Sequence, residues 1–225
     1  MNNINIKKFL AVFMKDIRSE FRTRYSISAI TLFILTTIVM IAFSITSTKV
    51  NAELTAGLLW VILFFGAMTG LSKSFVSEEE RQTSFLLKIT SNSASVYFGK
   101  LFFNIVLCLT LNIVSVMLFF LFIGYVGISS FGVFAMSILL GSLGIASGTT
   151  IISAIIARAN TKGALFPVLS FPILLPLIIL GIELTKASFE GVSFANAQNN
   201  LMLIIAYCGI LITVSYLFFD YVWED

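Results

Sequence analysis

The sequence contains no histidine, and only 11% of its 225 residues are charged. The absence of histidine removes the usual general base, the commonest metal ligand and the imidazole ligand of haem iron. The two cysteines, Cys108 and Cys208, lie far apart in apolar runs and form no paired metal motif. The low charge excludes a soluble domain, because such a domain needs enough polar residues to cover its surface.

Long apolar segments dominate the rest of the chain. Hydrophobic residues make up 58% of it, compared with roughly 45–50% in a soluble domain. A membrane-spanning helix needs about 20 mostly apolar residues to cross about 30 Å of hydrocarbon. Since the alternation typical of a transmembrane barrel is absent, we predict an all-α integral membrane fold, with a single six-helix domain over residues 25–222. The predicted spans are at about 25–46, 54–76, 100–124, 131–157, 164–184 and 200–222.

The basic residues predict how these helices are oriented. With the N-terminus inside, 12 of the 14 lysines and arginines fall on cytoplasmic segments, and only Lys49 and Lys186 fall outside. Cytoplasmic segments of membrane proteins carry such an excess of Lys and Arg. We therefore expect a multi-pass protein with both termini cytoplasmic. The net charge of +3 then reflects orientation, so no nucleic-acid partner is expected.

Residues 1–24 precede the first span and include an amphipathic segment. Phe9, Phe13, Ile17 and Phe21 recur at every fourth position, while the basic residues fall elsewhere on the helical wheel. This pattern predicts a cytoplasmic helix that lies in the membrane interface, with its basic side chains facing lipid phosphates. The alternative is a charged leader that only enforces the topology.

The connection at residues 77–99 is the longest on the cytoplasmic side. Ser77 and the acidic triplet after it predict a capping box that starts a short helix with one apolar side. We interpret this helix as a docking element for a cytoplasmic partner. The alternative is that the triplet is a solvated charge run that ends a long second helix. The candidate contact residues are Glu78, Glu79, Glu80, Arg81, Phe85, Leu86 and Lys88.

Small residues and prolines mark positions inside the spans. Two GxxxG pairs allow close helix approach, and the small, polar run at residues 141–150 must face protein or substrate rather than lipid. All three prolines lie in the fifth span, which should therefore be kinked. The candidates for helix packing or a substrate path are Gly66, Gly70, Gly141, Gly144, Gly148, Pro172 and Pro176.

The outer connection from Glu183 to Asn200 has two phenylalanines among polar residues. It is too polar to cross the membrane, so we predict short re-entrant pieces that dip into the outer interface. A plain loop is the alternative.

The groups needed for catalysis or ion-driven transport are absent from the spans. No ionisable residue lies near the middle of a span, where proton or sodium relays normally need one. The segment ending at Lys100 lacks the first glycine and the Ser or Thr of a P-loop. We expect a non-enzymatic membrane subunit that has no catalytic, metal or directly bound cofactor site.

Five parts of the sequence, in the same order along the chain, resemble the CcmB family, the haem exporter permeases of bacterial cytochrome c maturation. Together with the predicted architecture, they are similar to the type-2 ABC exporter permeases. The parts are Lys15–Arg22, Ala56–Trp60, Phe75–Glu80 with Gly99–Lys100, Leu139–Gly144 and Phe166–Pro176.

This resemblance implies a permease of the bacterial inner membrane that pairs with an ATPase subunit of the CcmA type. Haem-handling membrane proteins of the CcmC type would work beside it, and the permease would form a self-dimer or pair with a related subunit. ATP would bind through the partner, with haem as the candidate substrate.

By analogy with the family, motion driven by ATP hydrolysis would enter through the loop at residues 77–99. It would be coupled to haem export or to release of a haem-loaded chaperone. Two alternatives stay open: a type-2 permease for a lipid, polysaccharide or drug, and a non-transporting membrane adaptor.

Overall fold

The computed structural model of the chain describes residues 6–23, 25–45, 51–123, 127–157, 159 and 162–224. Within these residues all regular secondary structure is helical. The helices are α1 (Ile6–Thr23), α2 (Tyr25–Ile45), α3 (Ala52–Leu71), α4 (Lys73–Glu80), α5 (Ser84–Thr90), α6 (Ser93–Ile123), α7 (Phe131–Ile156), α8 (Lys162–Phe189) and α9 (Gln198–Glu224).

Six apolar helices, α2, α3, α6, α7, α8 and α9, form the bundle. Among the described residues, five helical stretches are long and apolar enough to cross a membrane, and α2 holds a shorter apolar stretch, Ile30–Ile45. The predicted all-α membrane fold is therefore confirmed. The predicted ends of the first and third spans, at residues 46 and 124, lie outside the described residues, as does Lys49.

The acidic triplet lies at the end of a helix rather than at its start. Ser77 falls inside α4, which follows Ser72. The predicted capping box is therefore wrong. The helical path continues from α3 into α4 with little interruption, since the Ser72 N–H donates to the Met68 carbonyl at 3.3 Å. The alternative, a triplet that ends a long helix, describes the backbone correctly.

Burial explains why the helix extends this far. Phe75 and Val76 are buried in an apolar cluster at this end of the bundle, and that burial favours helix through the polar residues beside them. The chain then turns at Gln82, whose φ of 55° is left-handed, and α5 follows at Ser84.

The outer connection is shorter than predicted, because α8 continues to Phe189 and α9 begins at Gln198. The predicted short pieces therefore do not form separate helices here, and their dip into the outer interface stays a prediction. The last turns of α8 bury Leu184 and Phe189, so the polar residues between them stay helical. Ser130 Oγ donates to the Val192 carbonyl at 2.8 Å and ties the remaining turn to the start of α7.

Helix α7 is the centre of the bundle and packs on α3, α6, α8 and α9. Most of its small, polar run is buried. Gly144 and Gly148 let α8 approach: a Cβ on Gly144 would overlap Leu177, and one on Gly148 would lie 2.9 Å from Leu174 Cδ2. Close packing of this kind is how small residues hold helices together in lipid.

The other glycine pair lies at contacts between helices, whereas two of the prolines lie on an exposed helix side. Gly66 and Gly70 face α2, and a Cβ on Gly70 would also lie 2.8 Å from Leu111 Cδ1 of α6. Pro172 and Pro176 lie on the exposed side of α8, which runs through all three prolines as one helix. The kink in this span stays a prediction.

Trp60 is fully buried where α3, α7 and α8 meet. Its Nε1–H donates to Thr185 Oγ1 at 2.9 Å, and Ser137 Oγ lies 3.0 Å from the same oxygen. Gly141 of α7 and Gly181 of α8 leave the space for the indole, because a Cβ at either position would overlap the ring. One tryptophan thus fixes the spacing of three helices.

We expect Gly141→Ala to destabilise the fold, because the added methyl group must displace Trp60. Overpacking of this kind costs about 1–3 kcal/mol. Thermal unfolding of the purified protein in mild detergent measures the effect as a lower midpoint. Gly57→Ala in α3 is the matched control, since nothing lies within 4 Å of its added Cβ. Equal midpoints for the two variants would contradict the assignment.

Candidate functional site

Four charged side chains meet at the end of the bundle where α1 packs on the start of α6. We call Lys15, Asp16, Glu78 and Lys100 the buried charge cluster. Lys100 Nζ lies 2.9 Å from Glu78 Oε1 and 3.0 Å from Asp16 Oδ2, and Lys15 also bonds to Glu78. Lys100 is 1% exposed, so its charge depends on these two carboxylates. Two cations and two anions leave the cluster neutral.

Polar contacts around the cluster hold α4 and the turn after it. Lys100 Nζ donates to the Ser74 carbonyl at 2.8 Å and lies 5.3 Å from the centroid of the Phe75 ring. Thr83 Oγ1 donates to Glu78 Oε2 at 2.6 Å. Both carboxylate oxygens of Glu78 therefore have partners, as a buried charge requires.

Helix α1 reaches the cluster because Gly99 leaves room for it. A Cβ on Gly99 would lie 2.9 Å from the Cβ of Val12, which is itself buried. The rings of Phe9 and Phe13 pack on Phe102 of α6, with centroids 6.0 and 5.1 Å away. This close contact brings Asp16 within reach of Lys100.

The short helix α5 turns its apolar side outward. Phe85, Leu86 and Ile89 are 71%, 63% and 67% exposed, and we call these three residues the docking face. Only Leu87 of this helix is buried. Lys88 is half-buried, with its Nζ 5.7 Å from the centroid of the Trp223 ring.

The structure separates the predicted contact residues into an exposed and a buried group. Glu78 lies in the buried charge cluster and cannot present its carboxylate to a partner. Glu79, Glu80 and Arg81 are exposed, and Arg81 Nη1 donates to Ser19 Oγ of α1 at 2.9 Å.

Sequence reasoning missed the partners of Glu78. Asp16 and Lys100 are 84 positions apart, so no local periodicity brings them together. A signal was nevertheless present, because Lys15–Arg22, Phe75–Glu80 and Gly99–Lys100 all carry the family resemblance, and these three segments meet at the cluster.

Polar side chains inside the bundle are paired between helices. Asn112 Nδ2 of α6 donates to Ser142 Oγ of α7 at 2.8 Å, and Asn104 Nδ2 donates to Thr150 Oγ1 at 2.9 Å. The small, polar run of α7 thus packs against protein. The described part of the chain shows no group of three or more Cys, Asp or Glu side chains placed to hold a metal ion.

We expect Lys100→Met to destabilise the protein strongly, because it leaves Asp16 buried beside fewer cations. Breaking a buried ion pair by removing one partner costs about 3–5 kcal/mol. Unfolding in detergent measures the loss. Adding Asp16→Asn should recover part of the loss, since the orphaned charge is then removed as well.

The matched control is Lys186→Met, which breaks an exposed pair with Glu53 at 3.0 Å. This change should leave the unfolding midpoint unaltered, because exposed ion pairs are screened by water. If the Lys100 variant unfolds like this control, the buried charge cluster does not stabilise the fold.

The profile of the family described as CcmB protein matches residues 7–218, which is nearly the whole chain. None of the curated proteins matches the chain. The matched region includes the buried charge cluster and all of α5. The family indicates the permease component of a haem-exporting ABC system of cytochrome c maturation, which is a non-catalytic, multi-pass component of the inner membrane. The chain therefore belongs to the CcmB family.

Proposed function

We propose that this chain couples ATP hydrolysis by a separate CcmA-type ATPase subunit to haem export or to release of a haem-loaded chaperone. ATP is bound by the partner, and haem is the substrate. The observation that supports this proposal is the docking face on α5, whose three large apolar side chains are exposed outside the apolar spans.

The docking face has the composition of a protein-binding surface. Exposed apolar side chains that cluster on one side of a helix, rimmed by polar residues, mark an interaction site. Glu79, Glu80 and Arg81 supply that rim. The excess of basic residues on these connections predicts that this end of the bundle is cytoplasmic, where ATP is available.

The structure offers a physical connection from this face to the spans. Helix α4 continues from α3, and Thr83 of the turn before α5 bonds to Glu78 of α4, so a push on α5 reaches α4 through this turn. Glu78 links that path to Lys100 of α6 and, through Asp16, to α1. Movement of the ATPase therefore reaches α3 and α6 together, because Glu78 bonds the α3–α4 path to the start of α6.

Helix α1 provides a fixed point in the membrane interface. Its face away from α6 exposes Leu10, Met14 and Phe21. Arg18 and Arg22 are exposed as well, and we assign them to lipid phosphates. In this assembly two copies, or one copy with a related permease chain, bind two ATPase chains beside haem-handling proteins of the CcmC type.

We expect Phe85→Ser to weaken ATPase binding by about tenfold or more, because exposed aromatic anchors of this kind often dominate interface energy. Affinity for the ATPase subunit and stimulated ATP hydrolysis in detergent are the measurements. Phe194→Ser is the matched control, since Phe194 is 53% exposed at the opposite end of the bundle.

Equal ATPase affinity for the two serine variants would overturn the docking assignment. Mass spectrometry of the proteins purified with the chain tests the cargo. An ATPase together with haem-handling proteins supports the proposal, whereas an ATPase without them indicates a lipid, polysaccharide or drug permease. Finding no ATPase at all would leave a membrane adaptor.

A further inference from the structure

The last turn of α9 lies in a cluster of aromatic rings that we call the aromatic seat: Phe75, Tyr97, Phe219 and Trp223. The indole of Trp223 stacks on Phe219, with centroids 5.5 Å apart and planes at 18°. Phe75 lies 5.9 Å from Trp223 and 5.5 Å from Phe219, and Tyr97 lies 5.3 Å from Phe219. All four side chains are buried, so the aromatic seat is a tightly packed part of the core.

Helix α5 rests on this seat through few contacts. Leu87 is its one buried residue, and Lys88 places its Nζ 5.7 Å from the centroid of the Trp223 ring. A groove of about 340 Å³ opens beside this contact, lined by residues of α4, α5, α9 and the end of α7, including Phe85, Lys88 and Trp223. Most of the rest of α5 is therefore not packed against the bundle.

The helical path is interrupted on both sides of α5. Gln82 before it has a φ of 55°, and Ser91 after it is extended. Such segments absorb changes in backbone torsion when a helix moves. The contact between Lys88 and Trp223 thus helps to decide how far a movement of α5 is passed to α9.

We infer that Trp223 is a positioning residue for coupling: its cation–π contact with Lys88 holds α5 on the end of α9. Movement imposed on α5 by the ATPase then reaches α9 as well as α3 and α6. This inference rests on the proposed function. The family match includes Lys88 and ends at residue 218, before Trp223.

From α9 the movement reaches the centre of the bundle. Ser215 Oγ donates to the Ser147 carbonyl of α7 at 3.2 Å, and Tyr97 Oη donates to the Ile212 carbonyl at 3.3 Å. Because α9 packs closely on α7, the two helices shift together. The buried charge cluster and the aromatic seat are therefore two parallel connections from α5 into the membrane.

The test compares Trp223→Leu with the matched control Tyr221→Leu. Both changes remove an aromatic ring from the same turn of α9, but Tyr221 is 75% exposed. We expect Trp223→Leu to keep its affinity for the ATPase but to lower the stimulated turnover by about three- to tenfold, in keeping with the strength of cation–π contacts. Tyr221→Leu should leave both quantities unchanged.

Substitutions of Lys88 separate a coupling role from a merely structural one. Lys88→Met should lower turnover as Trp223→Leu does, and Lys88→Arg should retain it, because guanidinium also binds the face of an indole. The double variant Lys88→Met with Trp223→Leu should be no worse than either single change, since both remove the same contact.

Full turnover in Trp223→Leu would overturn the inference, as would single effects that multiply in the double variant. Both results leave the proposed function standing, provided that Phe85→Ser still weakens ATPase binding. If Phe85→Ser binds as tightly as the parent chain, the proposed function is overturned. The inference about Trp223 rests on that function and is overturned with it.

Discussion

A lysine buried between two carboxylates holds together the end of the molecule from which coupling is proposed to start. Lys100 alone would be too costly to bury, and Asp16 and Glu78 alone would repel each other. Their shared site requires α1, α4 and α6 to meet, and Gly99 permits the approach. The position of α5, and with it the docking face, follows from this arrangement because α5 begins just beyond α4.

Interactions other than ion pairs hold the rest of the bundle together. In lipid, apolar side chains gain little by leaving the hydrocarbon for each other, so close packing and hydrogen bonds must hold the helices together. Helix α7 meets this requirement with glycines that admit Trp60 and Leu177, and with serines and threonines that pair across to α6. The result is a tightly packed centre around α7, whereas α5 at the end of the bundle is lightly held. Because α5 makes few contacts with the bundle, a partner that binds it can shift it relative to the packed centre around α7.

Several features were predictable from residue patterns alone. The length of the apolar segments located the six helices. A membrane-spanning segment needs about 20 apolar residues and must satisfy its backbone hydrogen bonds internally, which a helix does. The period of the phenylalanines predicted α1, and the small residues of the fourth span predicted close helix packing. Errors arose at helix ends: Ser77 resembled a cap, but burial of Phe75 and Val76 drew the residues before it into helix.

The sequence by itself determined the membrane class, the number of apolar helices and the family, since these depend on composition, length and order along the chain. Only the tertiary structure decided which acid of the triplet is structural and which are available to a partner. Glu78, Glu79 and Glu80 are chemically identical, and their helix phase places Glu78 against Lys100 and leaves the other two exposed. Contacts across 84 positions, such as Asp16 with Lys100, depend on how helices pack, which no local pattern encodes.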